Sequence, residues 1–295
     1  MSVLWFVGRG GLTLWLASSL VFVALRLLPN NILIAQSVEA GLDNETITRQ
    51  IQQFGLDKPI LEQYLGYYVG LLQGDWGRSL RNSQPVRDAL IQRTTQSFTL
   101  VGLTMLIGVP LGIVWGSTAS QVNVAGRILM WLSEWSLSIP VYWTGTLALF
   151  IFGLNFGISQ QSWALPIGVL VFHVSGSIAR LLRVNIQQIQ RENFVWFAKS
   201  KGLSASHIQK WYVLRVAILP IIPLIGIQMG ILLGATVATE TIFSRAGLGT
   251  LLLDGVLNRD YPIVQGVVLV LVSVFIFTTA FTRWLVYQLD PRLAS

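Results

Sequence analysis

The chain has 295 residues, of which 53% are hydrophobic and only 11% charged, with a mean hydropathy of +0.62. A soluble domain carries about 25% charged residues, and a disordered chain departs from that average in the opposite direction. Both are excluded, and a polytopic membrane protein remains.

A membrane helix needs about 20 mostly apolar residues. Six stretches qualify, roughly 10–28, 96–117, 129–153, 164–182, 216–238 and 263–285. Pro110, Pro140, Pro166, Pro220 and Pro223 are expected to kink or start helices within them. The first stretch ends in Arg26-Leu27-Leu28-Pro29 without a small-residue cleavage site, so it is expected to be retained as a span, with Arg26 snorkelling outward.

The loop 29–95 has six bases and seven acids, and a loop longer than about 60 residues is insensitive to the charge rule for topology. Its pattern predicts a small helical cap. Asp43 or Asn44 caps a helix with Ile47, Ile51 and Phe54 on one face, which Gly55 ends. Pro59 then opens a helix with Ile60, Tyr64, Leu65, Tyr68, Leu71 and Leu72 as its apolar positions, stopping near Gly74. Gln84-Pro85-Val86 opens a third short helix running into the second span. Such a cap serves either as a lid on the spans or as a docking surface for an outer partner.

Glu134, His173 and Glu240 lie in or at the end of the spans, where an ionisable residue flags function by default. Glu134 lies near the inner end of span three, His173 in the middle of span four and Glu240 at the outer end of span five. Each has a bland alternative: snorkelling or a helix-to-helix hydrogen bond for Glu134, a hydrogen bond to a neighbouring helix for His173, and fixing of the turn at Ser244–Gly249 for Glu240. They are the candidates for a pathway or gate.

The loop 183–215 is too polar to span and too long for a tight turn. With Arg180, its borders hold seven bases against one acid, Glu192, a net +6 that is nearly the whole net charge of +7. Lysine and arginine collect in cytoplasmic loops, so this loop and both termini are expected in the cytoplasm. The basic charge is thus a topology signal, and a nucleic-acid partner is not expected. Residues 187–201 read as one helix with Ile189, Phe194, Val195, Phe197 and Ala198 as apolar positions, closed by Gly202. Ser204 or Ser206 caps the next helix, which leads through Trp211 and Tyr212 to Pro220. A basic helix with exposed aromatics either lies on lipid or inserts into a groove of a soluble partner.

Chemistry within the chain is poorly supported. Cysteine is absent and the two histidines, His173 and His207, are far apart, so no metal site is expected. No catalytic triad or carboxylate pair occurs at a useful spacing. No G-x-x-x-x-G-K-[ST] phosphate loop is present, and Gly247-Leu248-Gly249 reads as a turn.

The run Phe194-Val195-Trp196-Phe197-Ala198-Lys199-Ser200-Lys201-Gly202-Leu203-Ser204, with Pro220 eighteen residues after Gly202, resembles the signature cytoplasmic loop of ABC-importer permeases of the peptide/nickel type. The resemblance continues in Gly55–Pro59, Gln63-Tyr64, Gly74-Asp75-Trp76-Gly77-Arg78-Ser79-Leu80 and Ser138-Ile139-Pro140. It extends through Glu240–Ser244, Gly247–Gly249, Asn258-Arg259-Asp260-Tyr261-Pro262 and Asp290-Pro291-Arg292. Departures are the aromatic pair Trp196-Phe197, Ser200 where alanine is usual, and Arg245-Ala246 where Trp-Pro is usual.

The resemblance implies an all-α integral membrane protein of six transmembrane helices, with an outer helical cap and a cytoplasmic coupling helix. Its divisions would be 1–28, the N-terminus and first span; 29–95, the cap; and 96–295, a five-helix core with the loop 183–215. Phe194, Val195, Trp196, Phe197, Ala198, Lys199, Lys201, Gly202 and Leu203 would form the contact with an ATPase. The implied assembly is an importer of the prokaryotic inner membrane, with a second identical or different permease, two cytoplasmic ATP-binding subunits and an extracytoplasmic solute-binding protein. ATP and magnesium would belong to the ATPase, and this chain would bind no cofactor. The cargo implied is a di- or oligopeptide or a small solute such as a nickel chelate. Two rivals fit the composition: an ion-coupled transporter, which should carry inverted repeats that are not found here, and a non-transporting membrane scaffold.

Overall fold

Hydrocarbon offers backbone amides no partner, so an apolar chain of this kind folds as helices that bond to themselves. The computed structural model describes residues 3–27, 45, 48, 51–52, 55–160 and 162–289. Among these the regular structure is helical, with one isolated bridge between Arg78 and Pro85. We number the helices α1 (Val3–Leu27), α2 (Ile60–Leu72), α3 (Val86–Ala119), α4 (Val124–Ser138), α5 (Val141–Ala148), α6 (Ala164–Ile189), α7 (Asn193–Ser200), α8 (Ala205–Ile208), α9 (Leu214–Ala217), α10 (Ile221–Ile242), α11 (Leu248–Leu257) and α12 (Tyr261–Leu289). α5 continues in a π-helical segment, Leu149–Leu154, and a second one, Gln209–Val213, joins α8 to α9.

Among the described residues, five helices are long and apolar enough to cross a membrane: Gly8–Leu27 within α1, and α3, α6, α10 and α12. The third predicted span, 129–153, is not one straight helix. The chain bends by 108° between Val124–Ser138 and Val141–Gly153, and the number of spans reaches six if this bent pair is counted as one. Pro140 causes the break. It has no N–H to donate and pushes Ile139 out of the helical region, to ψ 126°.

Contacts divide the chain into two units, Met1–Ser97 with Ala246–Val274, and Phe98–Arg245 with Phe275–Ser295. In the first, α2 packs on α1 through hydroxyls and rings. Ser18 and Ser19 bond Tyr68 at 2.7 and 2.9 Å, Ser19 bonds Tyr64 at 2.8 Å, and Tyr64 meets Phe22 edge to face. Arg26 does not simply snorkel. Its guanidinium lies 3.4 Å from the Phe22 ring centre, and its Nε donates to Gln63 at 2.9 Å. The apolar face expected for α2 is therefore divided: Tyr64 and Tyr68 turn inward, while Leu65 and Leu72 stay exposed. The predicted helix around Ile47 and Phe54 and the motif Asp290-Pro291-Arg292 lie outside the described residues. The short helix expected before the second span is the first part of α3, with no interruption.

In the second unit α6 is the central strut, packed by α4, α5, α9 and α10. α3 also comes close to α6, where Gly108, Gly112 and Gly116 present bare backbone at successive turns. A Cβ on Gly112 would lie 2.8 Å from Ile178 Cβ, and one on Gly116 2.7 Å from the Ala179 carbonyl oxygen. Ser175 Oγ donates to the Gly108 carbonyl at 3.0 Å. On another side of α6, a Cβ on Gly176 would collide with Ser136 of α4. Small residues serve membrane helices in this way because lipid provides no hydrophobic drive between them, so close van der Waals contact must do it.

Gly112→Leu should therefore destabilise the fold by about 3 kcal/mol or more, at the upper end of overpacking costs. Gly102→Ala on the same helix, where a Cβ meets nothing within 4 Å, should instead stabilise the fold by roughly 0.5–1 kcal/mol, the helix-interior preference for alanine. Unfolding of both variants in detergent, followed by tryptophan fluorescence, checks the difference. Equal stability of the two would refute the close packing of α3 on α6.

Candidate functional site

The loop between α6 and α10 is built as two short helical pieces on the end of a rigid helix. α6 stops at Ile189, and Glu192 adopts an extended backbone, φ −73° and ψ 147°. The Glu192 carbonyl then accepts the N–H of Val195 at 3.0 Å and opens α7. The sequence predicted one helix over 187–201. The break at Glu192 is what lets Val195 and Ala198 turn inward, where they are only 1% and 3% exposed. Burying a valine side chain contributes about 1.5–3 kcal/mol, more than a straight extension of α6 into water would gain.

Gly202 ends α7 at φ +76°, its N–H bonded to the Lys199 carbonyl at 3.0 Å. Nothing lies within 4 Å of where a Cβ would be. The requirement is conformational: the left-handed region costs an L-residue about 1–2 kcal/mol. Leu203 is half-buried, and the Ser204 side chain caps the next helix by accepting the His207 N–H at 3.4 Å. Asn185 Nδ2 donates to the Ala217 carbonyl at 3.2 Å and Gln190 Nε2 to Gln209 Oε1 at 2.9 Å, tying the returning segment to the end of α6.

With Val195 and Ala198 seated, the other face of α7 is left outward. Phe194 is exposed at 40%, Trp196 at 63% and Phe197 at 62%. Lys199 Nζ lies 5.0 Å from the Trp196 ring and Lys201 Nζ 4.5 Å from the Phe197 ring. Exposed aromatics of this kind are the residue types that interface hot spots favour. The described residues contain no group of three or more His, Asp or Glu able to hold a metal.

The three ionisable candidates have separate settings. Glu134 is exposed on α4, whose buried side is formed by Gly126, Ser133 and Ser136. His173 Nε2 bonds Thr144 Oγ1 at 2.8 Å and so links α6 to α5. Glu240 is 1% exposed, and its carbonyl accepts the Arg245 N–H at 2.7 Å. The Arg245 guanidinium sits 3.5 Å from the Trp163 ring centre. Burial lowers its pKa from the ordinary arginine value, and the nearby Glu240 charge acts against that. The described bonds tie the three candidates to different neighbours rather than to one another.

The model of the family described as binding-protein-dependent transport system inner membrane component matches residues 108–295. The chain belongs to this family. Over nearly the whole chain it is similar to the dipeptide transport system permease protein DppB of Escherichia coli (strain K12), with 26% identity covering 93% of each chain. It is 30% identical to the nickel import system permease protein NikB of Staphylococcus aureus (strain bovine RF122 / ET3-1), over 95% of this chain and 87% of the relative. It is equally 30% identical to the glutathione transport system permease protein GsiC of Escherichia coli (strain K12), over 95% and 94%. The fold is that of a solved amino acid ABC transporter chain with histidines, at TM-score 0.54, 17% identity and coverage of 70% of this chain and 94% of the other. The chain is thus a permease subunit of an ABC importer, a multi-pass inner-membrane protein without ATPase activity of its own.

One part of this permease was missed by sequence reasoning. α11 fills the connection read as a turn, with Leu248 N–H donating to Ser97 Oγ at 2.7 Å and Thr250 Oγ1 accepting the Gly247 N–H at 3.1 Å. After α11, Asp260 is only 4% exposed and receives a short hydrogen bond from Ser79 Oγ and one from the Leu80 N–H at 3.1 Å. Leu80 packs with Leu25, Tyr261 and Val264 in one apolar cluster. The motifs 74–80 and 258–262 were both visible in the sequence. Nothing there pairs residues 180 positions apart.

Asp260→Ala should leave the Ser79 hydroxyl and the Leu80 N–H buried without an acceptor, at a cost of about 3 kcal/mol. Amide exchange over 79–83 should then quicken about 100-fold, the rate ratio of that free energy if the loop opens locally. Unchanged protection there would contradict the clamp.

Proposed function

We propose that this permease subunit forms half of a solute pathway and takes its driving motion through α7, seated in a cleft of a separate cytoplasmic ATPase. The observation that carries this is the two-sided burial of α7: Val195 and Ala198 fixed inward, Phe194, Trp196 and Phe197 outward, on a helix ended by Gly202. A lever must be rigid at its root and adhesive at its tip, because a ligand or partner shifts a two-state equilibrium only by contacts that differ between the states. Switching a gate from 1:99 to 99:1 takes about 5.5 kcal/mol of such difference. Aromatic anchors with lysines over their rings supply contacts of suitable size.

In this assembly the basic loop and both termini are cytoplasmic, in keeping with its net +6. The partners are a second permease, identical or different, two ATP-binding subunits and an outer solute-binding protein. ATP with its magnesium is bound by the ATPase. The cargo is a small peptide or a solute of similar size such as a nickel chelate, a reading supported by relatives whose names specify dipeptide, nickel and glutathione transport. The setting of Glu240 beside Arg245 favours turn fixing over gating. His173 and Glu134 remain candidates for the pathway.

A photoreactive residue at Phe197 should cross-link to the ATPase in the assembled complex; capture of phospholipid alone would overturn the lever. Gly202→Val should lower solute uptake about 5- to 30-fold with ATP hydrolysis retained, since the strained turn alone costs on the order of 1–2 kcal/mol. Paired uptake and phosphate-release assays in proteoliposomes read both quantities. Undiminished uptake would count against coupling through this turn.

A further inference from the structure

The returning segment 205–217 has a second face that the lever does not use. Ile208, Val213 and Ala217 are buried against the body of the protein. His207, Trp211 and Arg215 recur four residues apart on the exposed side, with Tyr212 and Val216 beside them. The π-helical turn Gln209–Val213 supplies the register, since its wider turn brings both Trp211 and Tyr212 outward. Together with Phe194 from α7, these side chains line an open groove. The His207 ring is 6.5 Å from that of Trp211 and 6.1 Å from that of Tyr212. Lys210 Nζ stands 5.4 Å from the Trp211 ring.

Three observations narrow the occupant. The lining holds one guanidinium and no carboxylate, so it suits an anion. The rest is aromatic and aliphatic, so a small hydrated ion would leave most of the groove unused. The groove also lies a few residues before α10, one of the helices long and apolar enough to span, which puts it near the end of a span. Tryptophan and tyrosine concentrate at that depth, where one end of the side chain is apolar and the other wet. Arginine beside them meets phosphate in a fixed fork of donors.

We propose that the groove of Phe194, His207, Trp211, Tyr212, Arg215 and Val216 binds the headgroup of an anionic phospholipid, with the Arg215 guanidinium on the phosphate and the acyl chains along Val216 and Phe194. The phospholipid would hold the root of the segment that returns from α7 to α10. The groove shares Phe194 with the proposed ATPase contact, whereas His207, Trp211, Tyr212 and Arg215 take no part in that contact.

The full-length chain is placed in nanodiscs of equal phosphatidylglycerol and phosphatidylcholine, released, and weighed by native mass spectrometry. Phosphatidylglycerol should be retained over phosphatidylcholine in the wild-type chain. Arg215→Gln should reduce that preference roughly five-fold, the ratio that one cation near an anionic surface is worth. Arg127→Gln, which removes an exposed cation at the start of α4, should leave it unchanged. Equal losses in both variants would mean general surface charge and overturn the site. Retention of soluble glycerol phosphate as readily as the lipid would overturn it as well. A photoreactive residue at Trp211 should give a lipid adduct in the assembled complex, and a cross-link to a protein chain alone would mean that the groove is a protein interface.

Discussion

Bare backbone at Gly112 and Gly116 lets α3 close on α6 to a distance that a Cβ would prevent, and a Cβ on Gly108 would press on Val174. In a bilayer this matters more than it would in water. Lipid tails are as apolar as leucine, so helices gain nothing by hiding apolar surface from them, and close packing with a few hydrogen bonds must hold the bundle. α6 collects those bonds. It shares a hydrogen bond between His173 and Thr144, donates from Ser175 to the Gly108 carbonyl, and pairs Ser177 with Gln228 of α10 at 2.5 Å. Its far end is tied by Asn185 and Gln190 to the segment returning from the loop.

A helix fixed on several sides is a suitable root for a lever. α7 is only eight residues long, and a helix that short is marginal in isolation. It persists here because Val195 and Ala198 seat it and because Gly202 ends it in a conformation other residues avoid. The same seating decides what remains outside. The aromatic pair Trp196-Phe197, a departure from the pattern that this loop otherwise resembles, occupies the exposed face. A change at that face alters the exposed surface more than the fold of this chain.

Polar groups in the other unit follow a different logic. The Asp260 carboxylate is nearly buried and is satisfied by a hydroxyl and a backbone amide. An isolated carboxylate would be costly there, whereas one that accepts several hydrogen bonds fixes the geometry of two loops at once. Tyrosine hydroxyls bonded to Ser18 and Ser19 do the same for α1 and α2. Burial pushes the Tyr67 hydroxyl above its ordinary pKa, so it stays neutral within this aromatic group.

The sequence by itself determined that the chain crosses a membrane, where most spans fall, that Gly202 stops a helix and that Ser204 or Ser206 starts another. Each of these rests on local composition or on one residue's backbone preference, which neighbours three or four positions away suffice to specify. Pro140 even marked the break between α4 and α5, although only the structure gave it as 108°. The tertiary structure decided which faces are spent on packing. It alone separated Val195 from Phe197, turned Tyr64 inward and Leu65 outward, and joined Ser79 to Asp260. Those outcomes depend on surfaces brought together from distant parts of the chain, and apolar periodicity cannot tell a residue that meets another helix from one that meets lipid or a partner.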